Sequence, residues 1–512
     1  MIVSFLKCIA DTYNIYRHFL PPGSGESDLL SISGKENPLD KLMKIFSSME
    51  MVPAGHKALF KEFDRQVLAF SSRIMLENIS NILYRYAQSI GPDLYHGNSM
   101  EFTSSLGKIG IFGEQNDTID TDYLLIINTG GDDCYRCNAA SAEVYGLPIS
   151  MIIDLAGDDK YGEGKKSNIC RSVLGISMLL DLKGNDIYRS GSESLAFSLG
   201  GFSLLEDFEG NDDYSSEGAY GLASSFFGYS MLIDHSGDDK YYSGNYSQGF
   251  GGPGGSALLL DLKGNDRYLT ENGSFCQGSA RGRWADAGDG FNMGGGFGIL
   301  IDNEGDDEYK AGFFSQAASY YFGFGILTDR KGNDSFNAIT HSQGAATHST
   351  IACFIDNDGD DRYNSRTDSA RISQITGYGR DRSYAFFIDE KGNDKYLFGN
   401  KSFGVGDMNA SGVAIDMAGD DIYEWINNNN YSNFGSFGSA QSLDKTMGIE
   451  REFFPYLPNT NGIAADMAGK DTYRQLLKNN KNGAFFSDNK REERNRGNTY
   501  SIRYDKRKRL LK

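Results

Sequence analysis

One short pattern recurs twelve times along this chain and constrains its fold more than any other feature: Asp-x-x-Gly-[Asp/Asn]-Asp-x-[Tyr/Phe], with small variations, preceded by a short apolar run. Its glycines run from Gly131 to Gly469, and eight of the eleven intervals between them are 26 or 27 residues. The other three, of 41, 33 and 50 residues, read as insertions into a fixed unit. A period of this kind means stacked units that bury one another's apolar faces. Within a unit, apolar runs of a few residues are separated by glycine, which costs a helix about 1 kcal/mol at each site. Three short strands and three turns match one coil of a parallel β-helix, whereas a propeller blade needs about 40 residues. The expected fold is therefore an all-β parallel β-solenoid of about twelve coils.

Composition agrees with that reading. Among 512 residues there are 63 Gly, 30 Tyr and 33 Phe but only 9 Pro, which excludes collagen and simple disorder. The net charge is −19, and from Asn489 onward the chain carries ten Lys or Arg against three acids, so the body is more acidic than the whole. Such a body repels nucleic acid and anionic membranes and favours cations or basic partners. Six cysteines do not make a disulfide framework. Cys134 and Cys137, three apart in an extended strand, point to opposite faces and suit burial better than a shared metal. No segment is long and apolar enough to cross a bilayer. The start, MIVSFLKCIA, is short and poorly flanked for a signal peptide, although a start codon further upstream would hide one.

In-register stacking turns every repeated position into a ladder. The motif aromatics, from Tyr135 to Tyr473, form one, which reads as packing between coils ahead of a carbohydrate platform. Gln248, Gln316 and Gln343, each eleven residues after a motif glycine, form an amide ladder. The motif acids carry the clearest chemistry. Asp234, Asp238 and Asp239, then Asp302, Asp306 and Asp307, then Asp356, Asp360 and Asp361 make oxygen-rich turns beside glycine, the donor set a hard cation such as Ca²⁺ requires. Against this, the residue after the glycine alternates: Asp238, Asn265, Asp306, Asn333, Asp360, Asn393, Asp420. Lys183, Lys263, Lys331 and Lys391 precede Asn copies, so amides and ammonium groups fall beside the carboxylates of the next coil. An aspartate before a turn also accepts backbone N–H groups with no ion at all. A calcium ladder and a self-neutralised ladder both stand open.

The stretch from Leu106 to Tyr473 carries SLGKIGIFG before the repeats, SQG between them and RGRWADAGDGFNMGGG in an insert. In these features it resembles a set of bacterial tandem-repeat proteins of uncharacterised activity with G-[DN]-D-x-Y repeats. The resemblance implies a bacterial origin, a repeat fold and an envelope setting. The unit is also similar in ingredients to the calcium rolls of repeats-in-toxin proteins, but their nine-residue period prevents any ligand from being carried over.

Residues 1–38 read as a flexible segment, 39–98 as an α-helical cap built on an amphipathic stretch at 57–88, 99–475 as the solenoid, and 476–512 as a basic, disordered tail. Function on a rigid scaffold is grafted onto inserts. The 41-residue interval holds Arg281, Arg283, Trp284, Asp286 and Asp289, a cation, aromatic and carboxylate set able to grip a sugar. With His341 and His348, the charged members are the catalytic candidates, and Trp284 is the ligand-binding one. No GxSxG elbow is present and no carboxylate pair stands out. The leading expectation is a non-enzymatic scaffold in the bacterial envelope or outside the cell, presenting a surface to a carbohydrate or protein ligand, with calcium as a stabilising option. The alternatives are a β-helix carbohydrate-active enzyme (a polysaccharide lyase or glycoside hydrolase) and a cytoplasmic structural scaffold.

Overall fold

The computed structural model describes residues 38–46, 97–143, 146–163, 168–364, 372–426, 437–441, 460–476 and 498–503, with 7, 9–12, 51, 73, 76–78 and 81. The described chain is nearly all β, its parallel sheets forming a β-solenoid of about 11 turns. Twelve motif copies bound eleven circuits, which accounts for the difference from twelve coils. Each coil adds one strand to a long sheet, one to a tyrosine-bearing sheet and one to a third, shorter-stranded sheet. Equivalent residues pair directly: Ile176 with Ile149, Asp181 with Asp154, Tyr188 with Tyr161.

Burial follows the pleat. In Ser256–Asp261 and its equivalents, alternate residues, including the last aspartate, face inward. The motif tyrosines are buried inside the coils, stacked at 4.5 to 4.8 Å in pairs such as Tyr135 with Tyr161 and Tyr241 with Tyr268. They pack coil on coil and offer no face to a sugar. The motif glycine is a matter of space: a Cβ on Gly184 would stand 1.7 Å from the Gly157 carbonyl oxygen, and one on Gly359 1.5 Å from that of Gly332. The corner leading into the third sheet is made by paired left-handed residues, among them Gln316 and Ala317 at φ 55° and 60° and Gln343 and Gly344 at 55° and 76°. The amide ladder sits there. Gln316 donates to Gln277 at 3.1 Å, Gln343 to Gln316 at 3.2 Å, and Asn364 to Gln343 at 3.0 Å, while the Gln248 amide donates to the Tyr241 carbonyl.

Two compact units are distinguished: Met1–Gly237 with Gly252–Ala257 and Gly282–Gly294, and Asp238–Gly251 with Leu258–Arg281 and Gly295–Lys512. In the first, the antiparallel strand Met100–Thr103, exposed throughout, pairs with Lys108–Phe112 and covers what would be an open edge. The outward face of the long sheet is apolar, and Ile9 and Leu76 pack on it with Ile149, Ile176 and Met178. The helix Pro38–Phe46 lies along the third sheet, Phe46 stacking on Phe226 at 5.4 Å. Most of the expected cap at 39–98, including the stretch 57–88 apart from 73, 76–78 and 81, lies outside the described residues, as does the segment 1–38 apart from 7, 9–12 and 38. In the second unit, Asn498–Arg503 of the basic tail pairs parallel with Asn461–Asp466, and the rest of 477–512 lies outside the described residues. No described helix is long and apolar enough to cross a membrane.

Candidate metal centre

The two positions after each motif glycine face different worlds. The first forms an exposed ladder that satisfies itself. Asn265 donates its backbone N–H and its side-chain amide to Asp238 Oδ1, both at 2.9 Å, and Asn265 Oδ1 accepts the Asp306 N–H at 3.0 Å. Asn333 does the same between Asp306 and Asp360, and Asn393 between Asp360 and Asp420. Lysines flank it: Lys331 pairs with Glu304 at 2.6 Å and Lys391 with Asp358 at 3.1 Å. Asp238, Asp306 and Asp360 thus have amide partners on the surface.

The second position is a buried aspartate from Asp133 to Asp421, and so is the aspartate at the end of most long-sheet strands, from Asp154 to Asp466. Asp239, Asp302, Asp307, Asp356 and Asp361 are at most 3% exposed, like Asp234. The strand aspartates accept from the tyrosine of the preceding coil, as Tyr161 donates to Asp181 at 2.7 Å, Tyr268 to Asp302 at 2.6 Å and Tyr309 to Asp329 at 2.7 Å. The motif aspartates accept one backbone N–H each through Oδ1, as from Asp266 to Asp307 at 2.6 Å and from Asp307 to Asp334 at 2.7 Å. Their second oxygens have no such donor. Oδ2 of Asp159, Asp186, Asp266, Asp307, Asp334, Asp361, Asp394 and Asp421 is buried and accepts from no N–H or hydroxyl group, and neighbouring carboxyls take the place of such a donor, as Asp302 does beside Asp307.

These oxygens converge. Asp133, Asp154 and Asp159 bring carboxylate oxygens within 4.8 Å of one another, as do Asp159, Asp181 and Asp186, and, in the second unit, Asp239, Asp261 and Asp266. Burial, with help from neighbouring carboxylates, pushes these acids up: Asp186 and Asp361 to about 8, Asp307 to about 9, Asp334 to about 10 and Asp266 to about 11. A dry stack of like charges does not stand alone. Either protons or cations must occupy it. In the repeats with two buried carboxylates, one divalent ion per repeat would balance the charge, and carboxylate oxygens are its proper ligands. At the first coil Asn128 replaces the strand aspartate and donates its amide to Asp133. At the other end the register sets Arg503 beside Asp466.

The signal that separates the two ladders lies in the sequence. From Asp238 to Asp420 the outer position alternates Asp with Asn, while the inner one is Asp in all twelve copies. An asparagine would supply the same Oδ1 acceptor, so the backbone bond alone does not account for twelve aspartates.

The other candidates separate. In the first unit Arg283 is 2% exposed, forks onto Asp289 at 2.9 and 3.2 Å and donates to the Ile45 carbonyl at 2.8 Å, so that pair clamps the insert to the helix Pro38–Phe46. Trp284 is exposed and bonds Asp286 at 2.9 Å. In the second unit Arg281 lies over the Tyr246 and Phe275 rings, 5.6 and 5.2 Å from their centroids. His341 stacks on Phe314 at 4.5 Å, and burial pushes its imidazole down to about 4. His348 pairs with Asp381 and meets the Tyr320 edge at 4.9 Å. Arg281 and His348 therefore lie at the third sheet of the second unit, whereas His341 sits in a separate two-stranded sheet, Thr340–Ser342 with Ser373–Ile375. Cys137 is buried, Cys134 half-buried, and both are free thiols.

Fold and ladders together define a parallel β-solenoid repeat scaffold with stacked aspartates. Comparison with protein-family models, with curated proteins and with solved structures found no match.

Proposed function

We propose that this chain is a calcium-stapled, non-enzymatic scaffold of the bacterial envelope or exterior that presents its flanks to a carbohydrate or protein ligand. The observation that carries the reading is the set of buried aspartates, repeated at the coil period, whose carboxylate oxygens converge in threes within 4.8 Å with no N–H or hydroxyl donor to many of their Oδ2 atoms. Calcium would suit them better than magnesium, which keeps its waters and demands a strict octahedron, because these sites are buried and lined by carboxylates. Exposed modules outside cells commonly bind calcium at about 10⁻⁴–10⁻³ M, so weak sites of this kind fill where calcium is millimolar. The resemblance to bacterial repeat proteins supports the same setting.

The test is thermal unfolding of the full chain after exhaustive EDTA treatment, with calcium or magnesium restored. An ion that binds only the folded state raises the melting temperature by mass action. A calcium-specific rise is expected. Equal melting with and without calcium would leave protons as the only counter-charge and remove the staple from this reading.

A further inference from the structure

The third sheet of the second unit runs an outward column in register: Arg281 with Tyr320, Tyr320 with Thr347, Thr347 with Arg380, Arg380 with Asp407. Two adjacent members lack partners among the described residues. Thr347 is 4% exposed and its Oγ1 has no hydrogen bond, and the buried Nε of Arg380 has none either. The nearby carboxylates are engaged elsewhere. Asp407 accepts from Lys401 at 2.7 Å and from Tyr378 at 3.0 Å, and Asp381 pairs with His348 and, at 3.5 Å, with Arg382. A guanidinium fork and a hydroxyl side by side, both donors, match a carboxylate. Beside them lies apolar ring surface. Phe322 is 59% exposed, and its backbone N–H bonds the His348 carbonyl at 3.2 Å, which places it one coil from Arg380's neighbours.

We propose that this flank binds an acidic sugar, Arg380 and Thr347 taking the carboxylate of a uronate and Phe322 and Tyr320 lying against its ring. This rests on the display reading above and supplies its ligand class and site. A ring-bearing carboxylate uses both halves of the flank, whereas an acidic peptide uses only the cationic half.

The experiment is isothermal titration of the full chain, calcium held constant, with trigalacturonate, a neutral galactose trisaccharide and tri-glutamate. Trigalacturonate is expected to bind, the neutral sugar at least tenfold more weakly, and Arg380→Gln to lose at least tenfold toward trigalacturonate. Phe322→Ala, at an exposed position, weakens the sugar without altering folding. Arg380→Lys, which keeps the charge but not the fork, weakens binding too and serves if the glutamine variant melts early. Equal binding of acidic and neutral sugars, full affinity in Arg380→Gln, or no uptake of trigalacturonate at 10 mM-scale ligand (roughly the weakest affinity of interest, about −3 kcal/mol) would each overturn the site. Tri-glutamate binding as tightly as the uronate would overturn the sugar assignment and leave a carboxylate site for a protein. None of these outcomes alters calcium-dependent melting, so failure here and failure of the scaffold reading are read separately.

Discussion

Asn128 is a natural copy of an Asp→Asn change in the buried ladder, with its amide donating to Asp133 where later coils have only carboxylates. It indicates what a designed change would do. Asp334→Asn keeps the Oδ1 acceptor for the Asp307 N–H and replaces the unpartnered Oδ2 with a donor facing carboxylates. Without calcium near pH 8 the variant is expected to be as stable as the parent or more so, because a buried acid no longer has to hold a proton. With calcium it loses a ligand and falls below the parent by roughly 1–3 kcal/mol. Paired melts in EDTA and in calcium check this, and the same sign in both conditions would count against an ion at Asp334. The ladder of tyrosines is interrupted once, at Phe336, and Asp356 there takes its bond from Tyr363 of its own coil at 2.8 Å.

At the scale of the element, the motif turn is held by contact between backbones. Gly359 has no left-handed φ, yet a Cβ there would stand 1.5 Å from the Gly332 oxygen, and backbone cannot rotate away as a side chain can. Gly359→Ala should therefore destabilise by more than the ~1–3 kcal/mol of ordinary overpacking, read from the midpoint of urea unfolding. A neutral result would show that the coils can spread. The insert of the first unit depends on a different device, the buried Arg283–Asp289 fork. Arg283→Ala strands a buried carboxylate and a helix-end carbonyl, at a loss of about 3–5 kcal/mol. Faster proteolytic cleavage between 283 and 293 reports it, and Arg283→Lys does not rescue it because an ammonium cannot make the fork.

For the whole molecule, the buried acids reverse the usual effect of pH on a carboxylate. Their folded pKa values lie above the ordinary aspartate value, so over that interval the folded state binds more protons than the unfolded one. Stability of the calcium-free protein is then complete below about pH 4 and declines as pH rises through about 8 for Asp186 and Asp361 and about 9 for Asp307. Melting in EDTA should fall between pH 5 and pH 9 (a window set by roughly the unfolded and folded pKa values). Calcium displaces the protons, flattens the trend and releases acid on binding, measurable in weakly buffered solution. A calcium-free melting temperature that climbs with pH would contradict this account.

Much of this architecture was legible in the chain because in-register stacking converts a sequence period directly into contact. The 26- or 27-residue spacing determined the parallel solenoid, its three short strands per coil and the stacking of equivalent residues. The Asp–Asn alternation determined an outer ladder of amides and carboxylates. What the period could not reveal is the direction in which a side chain leaves the coil. The sequence distinguishes the variable outer position from the constant inner aspartate, but only the turn shows that one goes to solvent and the other inward, beside the tyrosine hydroxyls. Gln277 and Asn364 join the amide ladder for the same reason, and Arg283 reads as a surface cation until the helix Pro38–Phe46 covers it. Thr347 and Arg380 are 33 residues apart across an insertion, and the pairing of their strands alone makes them neighbours. A period sets translation along the stack, whereas facing is set by the backbone angles of each corner and by what packs against it, and those belong to the tertiary structure.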